Sequence, residues 1–133
     1  MEAKEIPQPH TQLTKAIDTD SAIIMGDPAR VDTIAKLMDH VVPWACNREY
    51  KSIIGMYKGK KILAMSTGIG APSAGIAVEE MHNVGIKRVI RVGSAGAMQH
   101  NIPLGQLVIA EGAVRDDGLS RLSLIHISEP TRP

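Results

Sequence analysis

The sequence predicts a single α/β domain built on a mixed sheet. Three observations carry that prediction. Short apolar runs alternate with segments of helical periodicity, the pattern of strands crossed over by helices. Two of the central runs, "REYKSIIGMY" (48–57) and "KKILAMST" (60–67), are joined across Lys58-Gly59, a hairpin signal that makes part of the sheet antiparallel. And three runs open directly into glycine turns, "MGDPAR" (25–30), "STGIGAPS" (66–73) and "RVGSAGA" (91–97).

Residues 1–19 carry two prolines, a histidine and little periodicity, and read as an extended arm. "SAIIM" (21–25) is a short buried strand closed by Gly26-Asp27-Pro28. Asp27 is placed to cap the following helix, and Pro28 fits its first turn, where a missing N–H costs nothing. That helix runs through "ARVDTIAKLMDH", with Val31, Ile34, Leu37 and Met38 on one face. "VVPWAC" (41–46) reads as a short strand, and the hairpin follows. After the second glycine turn, "SAGIAVEEMHNV" is a helix with Ile76, Ala77, Met81 and Val84 inward and Gly85 as its stop. Val89, Ile90 and Val92 are side chains of a sheet interior, and "QLVIAEGAV" (106–114) reads as a further strand. The last stretch, "LSLIHISEPTRP" (122–133), breaks from what precedes it. It resembles an in-frame translation of a transposase adaptor used in sequencing libraries, so it is expected to be non-native; the other reading is a natural C-terminal strand.

Composition narrows the function classes. The 133 residues are 44% apolar and 22% charged, with a formal net charge of +1, so bulk charge gives no reason to expect nucleic-acid or anionic-membrane binding. Cys46 is the only cysteine, which excludes an intrachain disulfide and fits a cytoplasmic location. No apolar run reaches the length of about 18 residues that a membrane span needs. No G-x-x-x-x-G-K-[ST] or G-x-S-x-G motif is present, and "GSAGAM" is not a dinucleotide fingerprint.

Glycine turns at strand ends present backbone N–H groups, and in open α/β sheets ligands gather there. Two of the three turns also carry arginine, Arg30 and Arg91, and Ser94 adds a hydroxyl. Arginine remains protonated and matches phosphate oxygens in a bidentate way, so a phosphate-sized anion is the expected ligand. A bland reading stays open for each: Arg91 pairing with a carboxylate such as Asp27, Arg30 solvated on its helix, and Ser94 serving only the turn.

Taken together, "IMGDPARVDTIAKLM", "NREYKS", "STGIGAPSAGIAVEE" and "IRVGSAGAMQ" resemble the bacterial nucleoside phosphorylase family, which includes uridine phosphorylases and the hexameric purine nucleoside phosphorylases. The resemblance spans residues 8–121. "GIAVEE" is closer to the uridine branch, whereas "RVGSAGA" and the Pro9-His10 pair also occur on the purine side. The implied fold is a three-layer α/β/α domain with a mixed sheet, of which residues 1–121 form the N-terminal half. The implied activity is phosphorolysis of a nucleoside, uridine plus phosphate giving uracil and ribose 1-phosphate, with purine nucleosides as the alternative. Related nucleosidases that use water have no need of Arg30, Arg48 and Arg91 together; a non-catalytic phosphate- or nucleoside-binding module is the reading of another class.

The resemblance also implies roles. Gly26, Arg30, Arg48, Arg91 and Ser94 would hold phosphate, with Arg91 and Arg30 supporting the reaction and Arg48 reaching into a neighbouring subunit's site. His10, Ser94 and Gly96 would meet the nucleoside, His10 across a dimer interface at the sugar's 5′-hydroxyl. Glu49, Ile69 and Ser73 match positions that hold a monovalent cation, potassium, in some uridine phosphorylases; Glu49 pairing with an arginine is the alternative. No cofactor is implied beyond phosphate as co-substrate, and the assembly implied is a hexamer built as a trimer of dimers. Residues 1–133 lack the half that supplies the base pocket, so the stretch alone is expected neither to be a stable monomer nor to turn over substrate.

Overall fold

The computed structural model describes residues 6–114 and 116–119. The chain forms two compact units, Met1–Gly93 and Ser94–Pro133. Among the described residues the first carries five strands and two α-helices: β1 (Ser21–Met25), α1 (Pro28–Ala35), β2 (Asp39–Asn47), β3 (Tyr50–Tyr57), β4 (Lys60–Ser66), α2 (Ala71–Asn83) and β5 (Arg88–Arg91).

The sheet order is β2-β3-β4-β1-β5. β1 runs parallel to both β4 and β5, while β2–β3 and β3–β4 are antiparallel, so the sheet is mixed as the hairpin predicted. The Lys58-Gly59 turn has positive φ at both residues, 47° and 77°, which gives the tight two-residue connection its twist.

Period-two alternation sorts the strands' side chains onto two faces. Ile24, Ile54, Leu63 and Met65 face a core completed by Ala77, Met81 and Val84 of α2. Their neighbours Met25, Ile53 and Ala64 face the other way, against Val31 of α1. One helix therefore covers each face, and the unit has three layers, α/β/α. Asp27 caps α1 through its Oδ1, which accepts from the Ala29 N–H, and Pro28 opens the helix, both as expected.

Four expectations are corrected. Residues 6–19 are not an extended arm: Leu13 and Ile17 are fully buried in the α2-side core, Thr14 caps a single 3-10 turn (Lys15–Ile17), and Thr11 is buried. Two apolar residues four apart suffice to plug the groove beside α2. Secondly, α1 ends at Ala35, so Leu37 falls in the turn after it and is exposed rather than inward. Thirdly, Val89 and Ile90 of β5 and Val92 just after it are exposed, because β5 is the edge strand beside β1 and neither core cluster extends over it.

The fourth concerns the second unit. Residues 94–114 contain no helix or strand, so "QLVIAEGAV" is not a strand here. Leu107, Val108, Ile109 and Val114 are exposed, and without a partner ladder or a face to bury, a short apolar run alone does not make a strand. Residues 120–133, including the "LSLIHIS" stretch, lie outside the described residues. Among the described residues no helix is long and apolar enough to cross a membrane.

Candidate active site

The first unit brings three strand ends to one edge. β4, β1 and β5 are parallel, so their C-terminal ends point the same way. The chain leaves β1 into α1 on one face and leaves β4 into α2 on the other, which makes the end of β1 a switch point, the crevice where open α/β sheets bind ligands. All three predicted glycine turns begin there.

The first two turns touch. The Gly68 N–H donates to the Gly26 carbonyl at 3.0 Å, and the Thr67 N–H to the Met25 carbonyl at 2.8 Å. A Cβ on Gly26 would lie 3.2 Å from the Gly68 carbonyl oxygen, so glycine here favours close approach of the two turns rather than an unusual φ. Gly68 is constrained twice: its φ is 69°, and a Cβ there would lie 2.8 Å from the Glu49 side chain. Glu49 therefore rests directly on the second turn.

Glu49 and Arg48 form the two-residue connection between β2 and β3. Arg48 takes a φ of 53°, ground that arginine seldom occupies. Ser66, at the end of β4, fixes this connection. Its hydroxyl donates to the Glu49 carbonyl at 2.6 Å and accepts from the Lys51 N–H at 2.8 Å. Sequence reasoning missed Ser66; a serine closing an apolar strand just before a glycine turn was the available signal.

The arginines reach this edge from separate elements. Arg30 lies in the first turn of α1 and lines an open cleft of about 410 Å³ with Met25, Thr33, Ile34, Leu37 and Val92. Arg91 ends β5, and its Nη1 lies 2.8 Å from where a Cβ on Gly93 would sit, so the guanidinium rests on its own turn. The pairing with Asp27 does not form: among the described residues Arg91 has no carboxylate partner, and Asp27 is engaged as the α1 cap. Ser94 and Gly96 fall in the second unit, on exposed chain without helix or strand.

The cation expectation involves Glu49, Ile69 and Ser73. The Ser73 hydroxyl donates to the Ile69 and Gly70 carbonyls, each at 3.2 Å. The Tyr50 hydroxyl donates to the Ser73 carbonyl at 3.0 Å. Burial pushes the Tyr50 hydroxyl's pKa up, and the negative charge of Glu49 adds to that. Glu49 has no ion pair with an arginine among the described residues. The Ser73 hydroxyl and the Ile69 carbonyl are thus adjacent, and the Glu49 side chain rests against Gly68, the residue before Ile69; hard oxygen donors of this type suit an alkali cation.

His10 is anchored far more firmly than an arm residue would be. Its Nδ1 lies 2.7 Å from Glu80 Oε1, and its carbonyl accepts from Asn47 Nδ2 at 2.8 Å. Glu80 is buried on α2, and its carboxylate also accepts from the Thr11 N–H and hydroxyl, both at 2.7 Å. Burial alone pushes the Glu80 carboxyl up, but the bonds from Thr11 and His10 outweigh it and hold the group below its ordinary range. Glu80 was also missed from sequence, where "VEEMH" offers two adjacent glutamates and only the helical phase shows which one points inward.

Comparison with known proteins agrees with this architecture. The model of the phosphorylase superfamily matches residues 20–132. A guanosine phosphorylase of Halorubrum lacusprofundi is 45% identical over 114 residues, which cover 86% of this chain and 47% of that protein. A uridine phosphorylase of Klebsiella aerogenes is 46% identical over 99 residues, 74% of this chain and 39% of that one. Among solved structures, a uridine phosphorylase of Vibrio fischeri ES114 aligns with a TM-score of 0.84 at 52% identity, over 87% of this chain and 48% of that chain. The chain thus spans about half the length, or less, of these relatives. With a family match over most of its length and the same fold at high identity, the chain belongs to the phosphorylase superfamily.

Proposed function

We propose that the protein to which this chain contributes its N-terminal half is a nucleoside phosphorylase, with uridine as substrate: uridine and phosphate give uracil and ribose 1-phosphate. The observation that carries this reading is the meeting of glycine turns at the ends of β4 and β1, flanked by Arg30 and Arg91 from separate elements. Phosphate is the nucleophile. One of its oxygens bonds to the anomeric carbon as the bond from that carbon to the base breaks, and the electron pair leaves with the base. Positive charge grows on the sugar, and the phosphate dianion beside it stabilises that charge. Arg30, Arg91 and the turn N–H groups hold the dianion in place, so the chain's task is positioning and electrostatic support. No serine or histidine nucleophile is required.

In this reading Arg48 and His10 serve the site of a neighbouring subunit, which makes the active unit a dimer and the assembly a hexamer of three dimers in the cytoplasm. Glu49, the Ile69 carbonyl and Ser73 hold potassium between subunits, organising the loop that carries Arg48. A purine nucleoside is the second reading, favoured by the 45% identity to a guanosine phosphorylase. Turnover assays of the whole-length protein with uridine and with inosine, each with phosphate, decide between them. Faster turnover of uridine supports the first reading. Turnover of inosine alone moves the assignment to the purine branch, and phosphate binding without turnover of either supports a binding module.

A further inference from the structure

We propose that Glu80 is a positioning residue for His10, fixing its imidazole with Nδ1 protonated and Nε2 outward, as the acceptor for a hydroxyl of the bound ligand. The assignment rests on the nucleoside reading, in which that hydroxyl belongs to the sugar.

The geometry carries three points. Glu80 is 6% exposed, and an ionised carboxylate can only accept. The 2.7 Å contact from His10 Nδ1 therefore needs the ring hydrogen on Nδ1, which leaves Nε2 of the neutral ring with a lone pair. The ring cannot drift, because the His10 N–H also donates to Glu80, at 3.1 Å, and Asn47 holds the His10 carbonyl from the end of β2. The histidine side chain nevertheless stays 39% exposed, so its far edge is open to a partner.

Packing does not need this arrangement. Leu13 and Ile17 already tie the segment into the core. A buried carboxylate adds direction instead, since it selects one tautomer and one ring orientation. Asn47 immediately precedes Arg48, so the same clamp links His10 to the arginine turn.

Two-bond proton–nitrogen NMR correlations of the histidine-labelled whole-length protein read the tautomer directly. The expected wild-type result is Nδ1–H with unprotonated Nε2. A wild-type ring protonated on Nε2 overturns the proposal without recourse to any variant. In Glu80→Gln the amide can donate to Nδ1, and the ring is expected to move to the Nε2–H form; an unchanged Nδ1–H form counts against the proposal. In the whole-length protein, Glu80→Gln should raise KM for the nucleoside about tenfold, the worth of one hydrogen bond, with KM for phosphate unchanged. That effect should vanish in a His10→Ala background. An equal rise in that background, or no rise at all, refutes the positioning role. A whole-length protein that turns over no nucleoside contradicts the phosphorylase reading, and the ring tautomer in wild type and Glu80→Gln then decides the role of Glu80 by itself.

Discussion

The carbonyl of Gly68 lies 3.2 Å from where a Cβ on Gly26 would sit. Two turns separated by the whole β1–β4 crossover are thus in backbone contact, and the second is held there by a positive φ and by Glu49. An alanine at residue 68 has to relieve both. Gly68→Ala is expected to destabilise the chain by about 1–3 kcal/mol, the usual cost of a left-handed conformation in a residue with a Cβ. Urea denaturation of the two proteins measures it; coincident midpoints would show that the turn is not constrained in this way.

Arg91 is the cation at the β5 end without a carboxylate partner among the described residues. In the whole-length protein Arg91→Ala is expected to remove about 2–4 kcal/mol of transition-state stabilisation, a roughly 30- to 1000-fold fall in phosphorolysis. The loss should be accompanied by weaker phosphate saturation. Wild-type phosphate dependence in the variant would remove Arg91 from the site.

The sequence made the sheet legible because its signals are local. "SAIIM" and the Lys58-Gly59 hairpin stand in the structure where the apolar run and the turn chemistry put them, and Asp27 with Pro28 starts α1 as capping rules require. The first two glycine turns were legible, whereas residues 92–97, also read as a turn, are irregular chain; the contact between the first two was not legible, since it depends on the register Met25↔Ser66 between strands far apart in the chain. The arm was misread for the opposite reason. Leu13 and Ile17 form no periodic run, and only the groove beside Met81 and Val84 explains their burial. Glu80 illustrates the same limit: its donors on His10 and Thr11 lie about 70 residues upstream, where no local pattern connects them to it.

Glu80 gives the arm a pH dependence. Hydrogen bonds hold its folded-state pKa below the unfolded value of about 4.3. A lowered carboxylate pKa contributes stability that is fully present above the unfolded value and is lost as pH falls through the folded one. Protection of the Thr11 and Leu13 amides, relative to their intrinsic exchange, should therefore fall below about pH 4. In Glu80→Gln that acid step should be absent; an identical acid step in the variant would assign it to another group.

Arg48 and His10 are proposed to serve a neighbour's site, and complementation tests this. Whole-length Arg48→Ala and Arg91→Ala subunits should each be nearly inactive alone. Mixed and reassembled, they should recover activity, because one of the two shared sites in a hybrid dimer is then intact. No recovery at any mixing ratio would show that each subunit completes its own site.

The turns and arginines at the ends of β4, β1 and β5 are proposed, above all, to hold phosphate as the nucleophile. Phosphorus NMR of the whole-length protein turning over uridine tests this most directly, because it identifies what becomes bonded to the anomeric carbon. The expected result is ribose 1-phosphate formed in step with uracil, and no uracil when phosphate is withheld. Free ribose as the product, released at the same rate with or without phosphate, would contradict it.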